Sequence, residues 1–242
     1  MADTKPIPSG LRAYLRQSRD LLTSLVLVVP LFVAYQIGVL TTGGVRNGVD
    51  FMTDALLLVT GRDLGLYLAV NASILLALLA LIAGLRKRGS FHPRIFPFVL
   101  IESAFYALFF GSAVVAMARL LGLDVLLSVG SRTNALVLSI GAGLYEELVF
   151  RLFLMGGLFI VATRAFKVPG WLAALLAVVL SSLVFSAVHH VGTLGEAFTV
   201  AAFVFRFLAG VLLAAIFYLR GFAVAVYTHA LYDVLVMVSR AP

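Results

Sequence analysis

Cysteine is absent from this chain of 242 residues, and charged residues make up only 12% of it. The lack of cysteine excludes disulfide bonds, thiolate metal ligands and cysteine nucleophiles. The scarcity of charge accompanies a hydrophobic content of 62% and a mean hydropathy of +1.11. These values lie far outside the range of soluble globular domains, so we expect the chain to lie in a bilayer.

Apolar runs predict seven membrane-spanning helices, because a helix satisfies its own backbone hydrogen bonds in lipid. The fold class is therefore expected to be all-α, a polytopic transmembrane bundle of seven to eight helices. We expect residues 1–20 to be a basic cytoplasmic segment and 21–242 a single transmembrane domain, with its catalytic core at about 133–239. The expected spans are 21–41, 64–85, 95–122, 133–163, 170–190, 197–219 and 222–239.

Two stretches depart from simple spans. The fourth run is too long for one straight crossing, and Gly141 and Gly143 precede its charges, so we expect a break, tilt or re-entrant piece there. The half-apolar piece 51–59 is interrupted by Asp54 and flanked by charges. We expect that piece to lie at the membrane interface.

The net charge of +7 comes mainly from Lys and Arg at the ends of the apolar runs. This placement is typical of orientation signals, so nucleic acid is not an expected partner. With the N-terminus in the cytoplasm, eleven of these basic residues lie inside and five outside. The positive-inside rule therefore favours a cytoplasmic N-terminus and an outer C-terminus. The expected location is the bacterial inner membrane.

Ionisable side chains inside the spans are the candidates for chemistry. Each costs about 2.5–3.5 kcal/mol to insert at a helix centre, so such residues usually serve a function or form a buried pair. We expect Arg206 and Glu102, which fit no catalytic pattern, to have a structural role such as a buried ion pair; a substrate contact is the other possibility. The candidates are Glu102, Glu146, Glu147, Arg151, His189, His190, Arg206, His229 and Asp233.

The densest group of charges is Glu146, Glu147 and Arg151. Residues four apart share one helix face, so Glu147 and Arg151 are expected to neutralise each other as a supporting pair. Glu146 points to a different neighbour and remains available. Because a carboxylate in a low-dielectric site holds a proton more tightly, Glu146 is the candidate general base.

Two histidines complete the candidate site. His189 ends the fifth span, four residues after Phe185, and His229 stands one turn before Asp233 on the last span. The carboxylate of Asp233 is expected to accept a hydrogen bond from one ring nitrogen of His229 and so select its tautomer. His189, His229 and the glutamate are thus predicted to converge from three spans.

These motifs resemble the CaaX-protease and bacteriocin-processing family of membrane proteins, also called the abortive-infection family. The family pattern is Glu-Glu-x-x-x-Arg, then Phe-x-x-x-His, then His-x-x-x-Asn or Asp, and all three parts occur here in order. The resemblance implies a glutamate-dependent intramembrane endopeptidase that forms no covalent intermediate. It assigns catalytic roles to Glu146, His189, His229 and Asp233 and supporting roles to Glu147, Arg151 and Phe185.

The expected topology places the site toward the extracytoplasmic side, which suits exported substrates better than cytosolic prenylated tails. The chain is similar to the myxosortase-type members, which implies removal of C-terminal sorting tails from membrane-anchored exported proteins. The expected partners are these proteins and membrane lipids. The alternatives are prenyl-CaaX-type processing and a non-enzymatic bacteriocin-immunity role. A proton-coupled transporter is disfavoured because no matching pair of broken helices occurs.

Other intramembrane protease classes fit poorly. A presenilin-like enzyme needs two aspartates including Gly-x-Gly-Asp, and a rhomboid needs a Gly-x-Ser-Gly-like serine; neither pattern occurs. The chain also lacks His-Glu-x-x-His, which weakens a site-2 metalloprotease assignment. No cofactor and no metal are expected. Zinc held by Glu146, His189, His229 and Asp233 remains the chemical alternative, because these side chains are suitable ligands.

Overall fold

The computed structural model describes residues 10–41, 60–61, 63–87, 91–123, 135–191 and 195–239. Within these ranges the chain consists of helices joined by short connections and contains no strand. A 3₁₀ turn, Pro93–Ile95, precedes α4, and a π-helical segment, Ala142–Met155, joins α5 to α6. The α-helices are α1 Leu11–Ser18, α2 Leu21–Thr41, α3 Leu64–Arg86, α4 Phe96–Leu120, α5 Ala135–Gly141, α6 Gly156–Arg164, α7 Gly170–Val188, α8 Val200–Arg220 and α9 Phe222–Ser239.

Polar residues and glycine fix several helix ends. The Asp63 carboxylate accepts from the backbone N–H of Leu66 at the start of α3, and the Thr199 hydroxyl accepts from that of Ala202 at the start of α8. Both side chains satisfy N–H groups that have no partner within the helix. Gly221, at a φ of 96°, ends α8 and allows α9 to begin at the next residue.

The prediction of an all-α bundle of seven to eight helices is confirmed: α5, the π-helical segment and α6 form one continuous helix, which gives eight helices among the described residues. Among the described residues, five helices are long and apolar enough to cross a membrane: Leu21–Thr41, Gly65–Arg86, Pro93–Leu120, Gly170–Val188 and Val200–Arg220. The last expected span contains a shorter apolar helix, Phe222–Val236. In the fourth, the chain remains helical from 135 to 164 and changes to π geometry near the charges, rather than breaking. The expected interfacial piece 51–59 lies outside the described residues.

Helix α9 is the centre of the bundle. It packs against α2, α4, α5, α8 and the π-helical segment. Every residue from Phe222 to Ala230 is buried, as is typical of a helix enclosed on all sides. The outer helices present large apolar side chains instead, and on α4 a stripe of Phe98, Ile101, Phe105 and Leu108 is exposed. Such a stripe suits contact with lipid chains.

Helix α1 is attached to the bundle by a polar cluster. The Tyr14 hydroxyl donates to the Glu102 carboxylate, and Arg220 donates to Glu102 at 2.9 Å and to the Ser18 hydroxyl at 3.1 Å. Burial and then the Glu102 carboxylate raise the pKa of the Tyr14 hydroxyl. Glu102 and Arg206 do not form an ion pair with each other, because Glu102 pairs with Arg220 at the opposite end of α8.

Candidate active site

The π-helical segment carries the two adjacent glutamates of the candidate site. Glu146 is 2% exposed and Glu147 is fully buried. Gly143 brings this segment against α9 so closely that a Cβ atom there would lie 2.7 Å from the backbone nitrogen of Ala230. Stretches of π-helix are rare and are often found at functional sites. Here the wider turn and the close approach place both glutamates against α9.

Glu147 and Arg151 form the expected ion pair, with 3.2 Å between Oε2 of Glu147 and Nε of Arg151. Arg151 also donates from Nη2 to the carbonyl of Gly210 on α8, and its guanidinium lies 4.3 Å from the centre of the Phe185 ring. The pair is therefore shielded from solvent and held by two neighbouring helices. Phe185 supports it through a cation–π contact.

His229 receives its orientation from Glu147. Its Nδ1–H donates to Oε1 of Glu147 at 2.8 Å, which leaves Nε2 directed at Oε2 of Glu146, 3.8 Å away. The expected hydrogen bond between His229 and Asp233 is absent, because Oδ2 of Asp233 lies 3.7 Å from Nε2. The tautomer of His229 is thus selected by a carboxylate on another helix, not by the residue one turn along α9.

His189 approaches the same carboxylate from α7. Its Nδ1–H donates to the carbonyl of Phe185 at 2.7 Å, one turn earlier, and its ring packs against the Phe185 ring. Nε2 of His189 then lies 3.7 Å from Oε2 of Glu146. The Phe185 ring also contacts His229, so Phe185 packs against both candidate histidines.

Oε2 of Glu146 is consequently shared between two imidazole nitrogens. Both distances exceed the length of a direct hydrogen bond, so a hydrogen-bonded contact across either gap needs a bridging water. A buried carboxylate beside two imidazole nitrogens is equipped to remove a proton from a water bound there. The predicted convergence of Glu146, His189, His229 and Asp233 is thus present as geometry, while their catalytic roles stay predictions.

Two contacts near the site were not foreseen. Glu147 was expected to serve Arg151 alone, yet it also holds His229, which is 82 residues away. Arg206, for which a structural role or a substrate contact is expected, pairs with Glu196 at 2.8 Å. His190 turns away from Glu146, because its ring packs against Phe203 and its Nδ1–H donates to the carbonyl of Glu196. The sequence spacing contains no signal for contacts between separate helices.

Among the described residues, no group of three or more His, Cys, Asp or Glu side chains is arranged to hold a metal ion. Zinc binding stays an alternative, which a chelation experiment tests. The contacts described above assign each Nδ1 of the two histidines to a protein oxygen, so only the Nε2 atoms face Glu146.

Residues 128–235 match the family model described as type II CAAX prenyl endopeptidase Rce1-like. This part of the chain is similar to the Rce1-like family. The matched region contains every predicted site residue, from Glu146 to Asp233. No curated protein and no solved structure matches the chain. The resemblance predicted from the three motifs is confirmed, whereas the myxosortase-type subgroup stays a prediction. Since Rce1-like proteins are a protease family, the match supports peptidase activity for this multi-pass membrane protein.

Proposed function

We propose that this Rce1-like protein is a glutamate-dependent intramembrane endopeptidase. The observation that carries the proposal is the position of Glu146, which is buried and faces Nε2 of His189 and of His229 at 3.7 and 3.8 Å. No other described carboxylate lies between two imidazoles in this way. Burial excludes bulk water and strengthens the electrostatic interactions that the reaction needs.

In the proposed reaction, Glu146 removes a proton from a water while the neutral Nε2 of His189 accepts a hydrogen bond from it. The water oxygen adds to the scissile carbonyl, whose oxygen becomes negatively charged. When His229 carries a proton on both nitrogens, Nδ1–H remains bound to Glu147 and Nε2–H donates to that oxygen. Protonated Glu146 then passes its proton to the departing amine as the C–N bond breaks. Water is consumed, and a carboxylic acid and an amine are formed; the acid then loses its proton to water.

Asp233 takes a secondary part in this proposal. Its carboxylate lies beside Nε2 of His229 and is one-quarter exposed. It has no proton to donate when ionised, so it does not bind the oxyanion directly. We propose that the negative charge of Asp233, together with that of Glu147, stabilises the protonated form of His229.

The proposed substrates are C-terminal sorting tails of exported, membrane-anchored proteins in the bacterial inner membrane. The support is the distribution of Lys and Arg, which favours a cytoplasmic N-terminus and so directs the end of α7 and the start of α8 outward. His189 ends α7 and the segment before α8 adjoins it. The second candidate is prenyl-CaaX-type processing at the cytoplasmic face, which the description of the matching family favours.

The test is cleavage of a model tail peptide by the purified protein in detergent or nanodiscs. Glu146→Gln and His229→Ala are expected to lower kcat by about 10²–10⁴-fold, as removal of a general base or of an oxyanion donor does. His92→Ala is the matched histidine control, since His92 contacts Gln17, away from the site. Undiminished cleavage by Glu146→Gln would refute the proposed mechanism. No cleavage of any tail by the wild-type protein would favour the immunity role.

Two further measurements separate the alternatives. Dialysis against a chelator is expected to leave cleavage unchanged, and activity lost and then restored by Zn²⁺ would support the zinc site. Reporter fusions after residue 90 and at the C-terminus give the orientation. A periplasmic residue 90 would turn the site toward the cytoplasm and favour the prenyl-CaaX-type substrate. In deletion cells, exported proteins that gain C-terminal mass would identify the natural substrates.

A further inference from the structure

An ion pair stands at the rim of the candidate site, outside the catalytic group. Nη2 of Arg206, on the second turn of α8, lies 2.8 Å from Oε2 of Glu196, and both side chains are about one-third exposed, at 35% and 34%. Glu196 belongs to the non-helical segment 195–199. Ion pairs with this exposure contribute little to the stability of a fold, so this pair is a candidate for a functional role.

The backbone of Glu196 is tied to the catalytic histidine. Its N–H donates to the carbonyl of His189 at 2.9 Å, and its own carbonyl accepts from Nδ1–H of His190 at 3.2 Å. The Glu196 side chain can therefore rotate away from Arg206 while its backbone stays in place. Release of the guanidinium needs no rearrangement of the helices.

Arg206 supplies positive charge where the site otherwise carries negative charge. It interacts electrostatically with Glu146, His189 and Asp233. The other arginine beside the site, Arg151, is 1% exposed and neutralised by Glu147. A substrate carboxylate that approached Glu146 and Asp233 without a cation would be repelled. The exposed guanidinium is placed to offset that repulsion.

We propose that Arg206 binds a carboxylate of the substrate in exchange for Glu196, so that the enzyme selects substrates carrying a carboxylate close to the scissile bond. A guanidinium holds a carboxylate through two parallel N–H donors, and its present partner at the rim has that same chemistry. The carboxylate belongs either to the free C-terminus of a short tail or to an acidic side chain. This inference rests on the proposed peptidase function and specifies its substrate class.

The experiment uses matched peptides with the same apolar sequence. One pair ends in a free acid or in an amide, and a second pair, amidated at the end, carries Glu or Gln beside the cleavage site. For the preferred acid, Arg206→Gln is expected to raise KM about ten-fold and to leave the KM of its amide partner unchanged, which removes the preference. Arg206→Lys retains part of the preference, and Glu196→Gln lowers the KM for the acid relative to the amide. Arg164→Gln, an exposed arginine at the end of α6, is the control.

Binding is measured separately in the Glu146→Gln background by fluorescence anisotropy of labelled peptides. An acid-over-amide preference there, lost in the added Arg206→Gln change, supports the inference even if no cleavage is found. Equal losses for acid and amide peptides, or an unchanged ratio in Glu196→Gln, would overturn it. If Arg206→Gln does not fold, the Glu196→Gln and Arg206→Lys ratios decide. A preference in the first peptide pair identifies a C-terminal carboxylate, and one in the second pair an acidic side chain.

Discussion

Replacing Gly143 with alanine tests whether the close approach of the π-helical segment to α9 sets the catalytic geometry. The added Cβ atom would lie 2.6 Å from Cβ of Ala230, 2.7 Å from its backbone nitrogen and 2.8 Å from the carbonyl oxygen of Val226. Two of these three contacts are backbone atoms, which no side-chain rotation can relieve. Ordinary contact distances are about 3.5 Å, so the two helices have to separate locally by roughly 0.7–0.9 Å.

That separation acts directly on the reacting groups. Glu146 follows Gly143 on one helix and His229 precedes Ala230 on the other, so their gap of 3.8 Å widens. A misplacement of about 1 Å can cost about 10²-fold in rate, and overpacking costs about 1–3 kcal/mol of stability. We therefore expect Gly143→Ala to lose about 10²-fold in kcat/KM and several degrees in Tm.

The assay compares peptide cleavage with thermal unfolding in the same detergent. Gly157→Ala is the matched control, because a Cβ atom at this position in α6 meets nothing within 4 Å. It is expected to keep full activity and to be as stable as the wild type or slightly more stable, since alanine is the better helix former. Wild-type kcat/KM and Tm in Gly143→Ala would refute the link between this contact and the site.

Three other results are expected. Glu147→Leu leaves Arg151 buried without its partner and should lower the free energy of unfolding by about 3–5 kcal/mol. Glu147→Leu combined with Arg151→Met should recover Tm but not cleavage, because His229 still lacks its acceptor. Recovered cleavage would contradict the orienting role of Glu147. The raised pKa of Tyr14 stabilises the fold below about pH 10, and this contribution is lost as pH rises above that value, so Tyr14→Phe should flatten the alkaline fall of Tm. Arg220→Gln should release α1 and raise its susceptibility to proteolysis, without lowering kcat in the intact protein; unchanged cutting would show that α1 is held by other contacts.

Which residues share one face of a helix was predictable, because the period of the helix is known in advance. The pairing of Glu147 with Arg151 follows from their spacing, and it survives the change from α to π geometry. The expected span 222–239 coincides with α9, because apolar length and the glycine before it mark both its extent and its start.

The residues of the candidate site were predictable, but the contacts between them were not. Three motifs in order single out Glu146, His189 and His229. Which ring nitrogen meets which carboxylate depends on how each helix is rotated and how deep it sits. Glu147 took the place foreseen for Asp233 because the π-helical segment turns its carboxylate toward Nδ1.

The sequence by itself determined that the chain is a membrane-embedded helical protein, and it named a glutamate and two histidines as the candidate site. Hydropathy decides membrane insertion, and the cost of burying charge singles out those residues. Only the tertiary structure decided the partners of His229, Arg206 and Glu102. In a bilayer both lipid and the bundle interior accept apolar side chains, so hydropathy does not specify which face of a helix meets its neighbour. Close packing at positions such as Gly143 makes that choice.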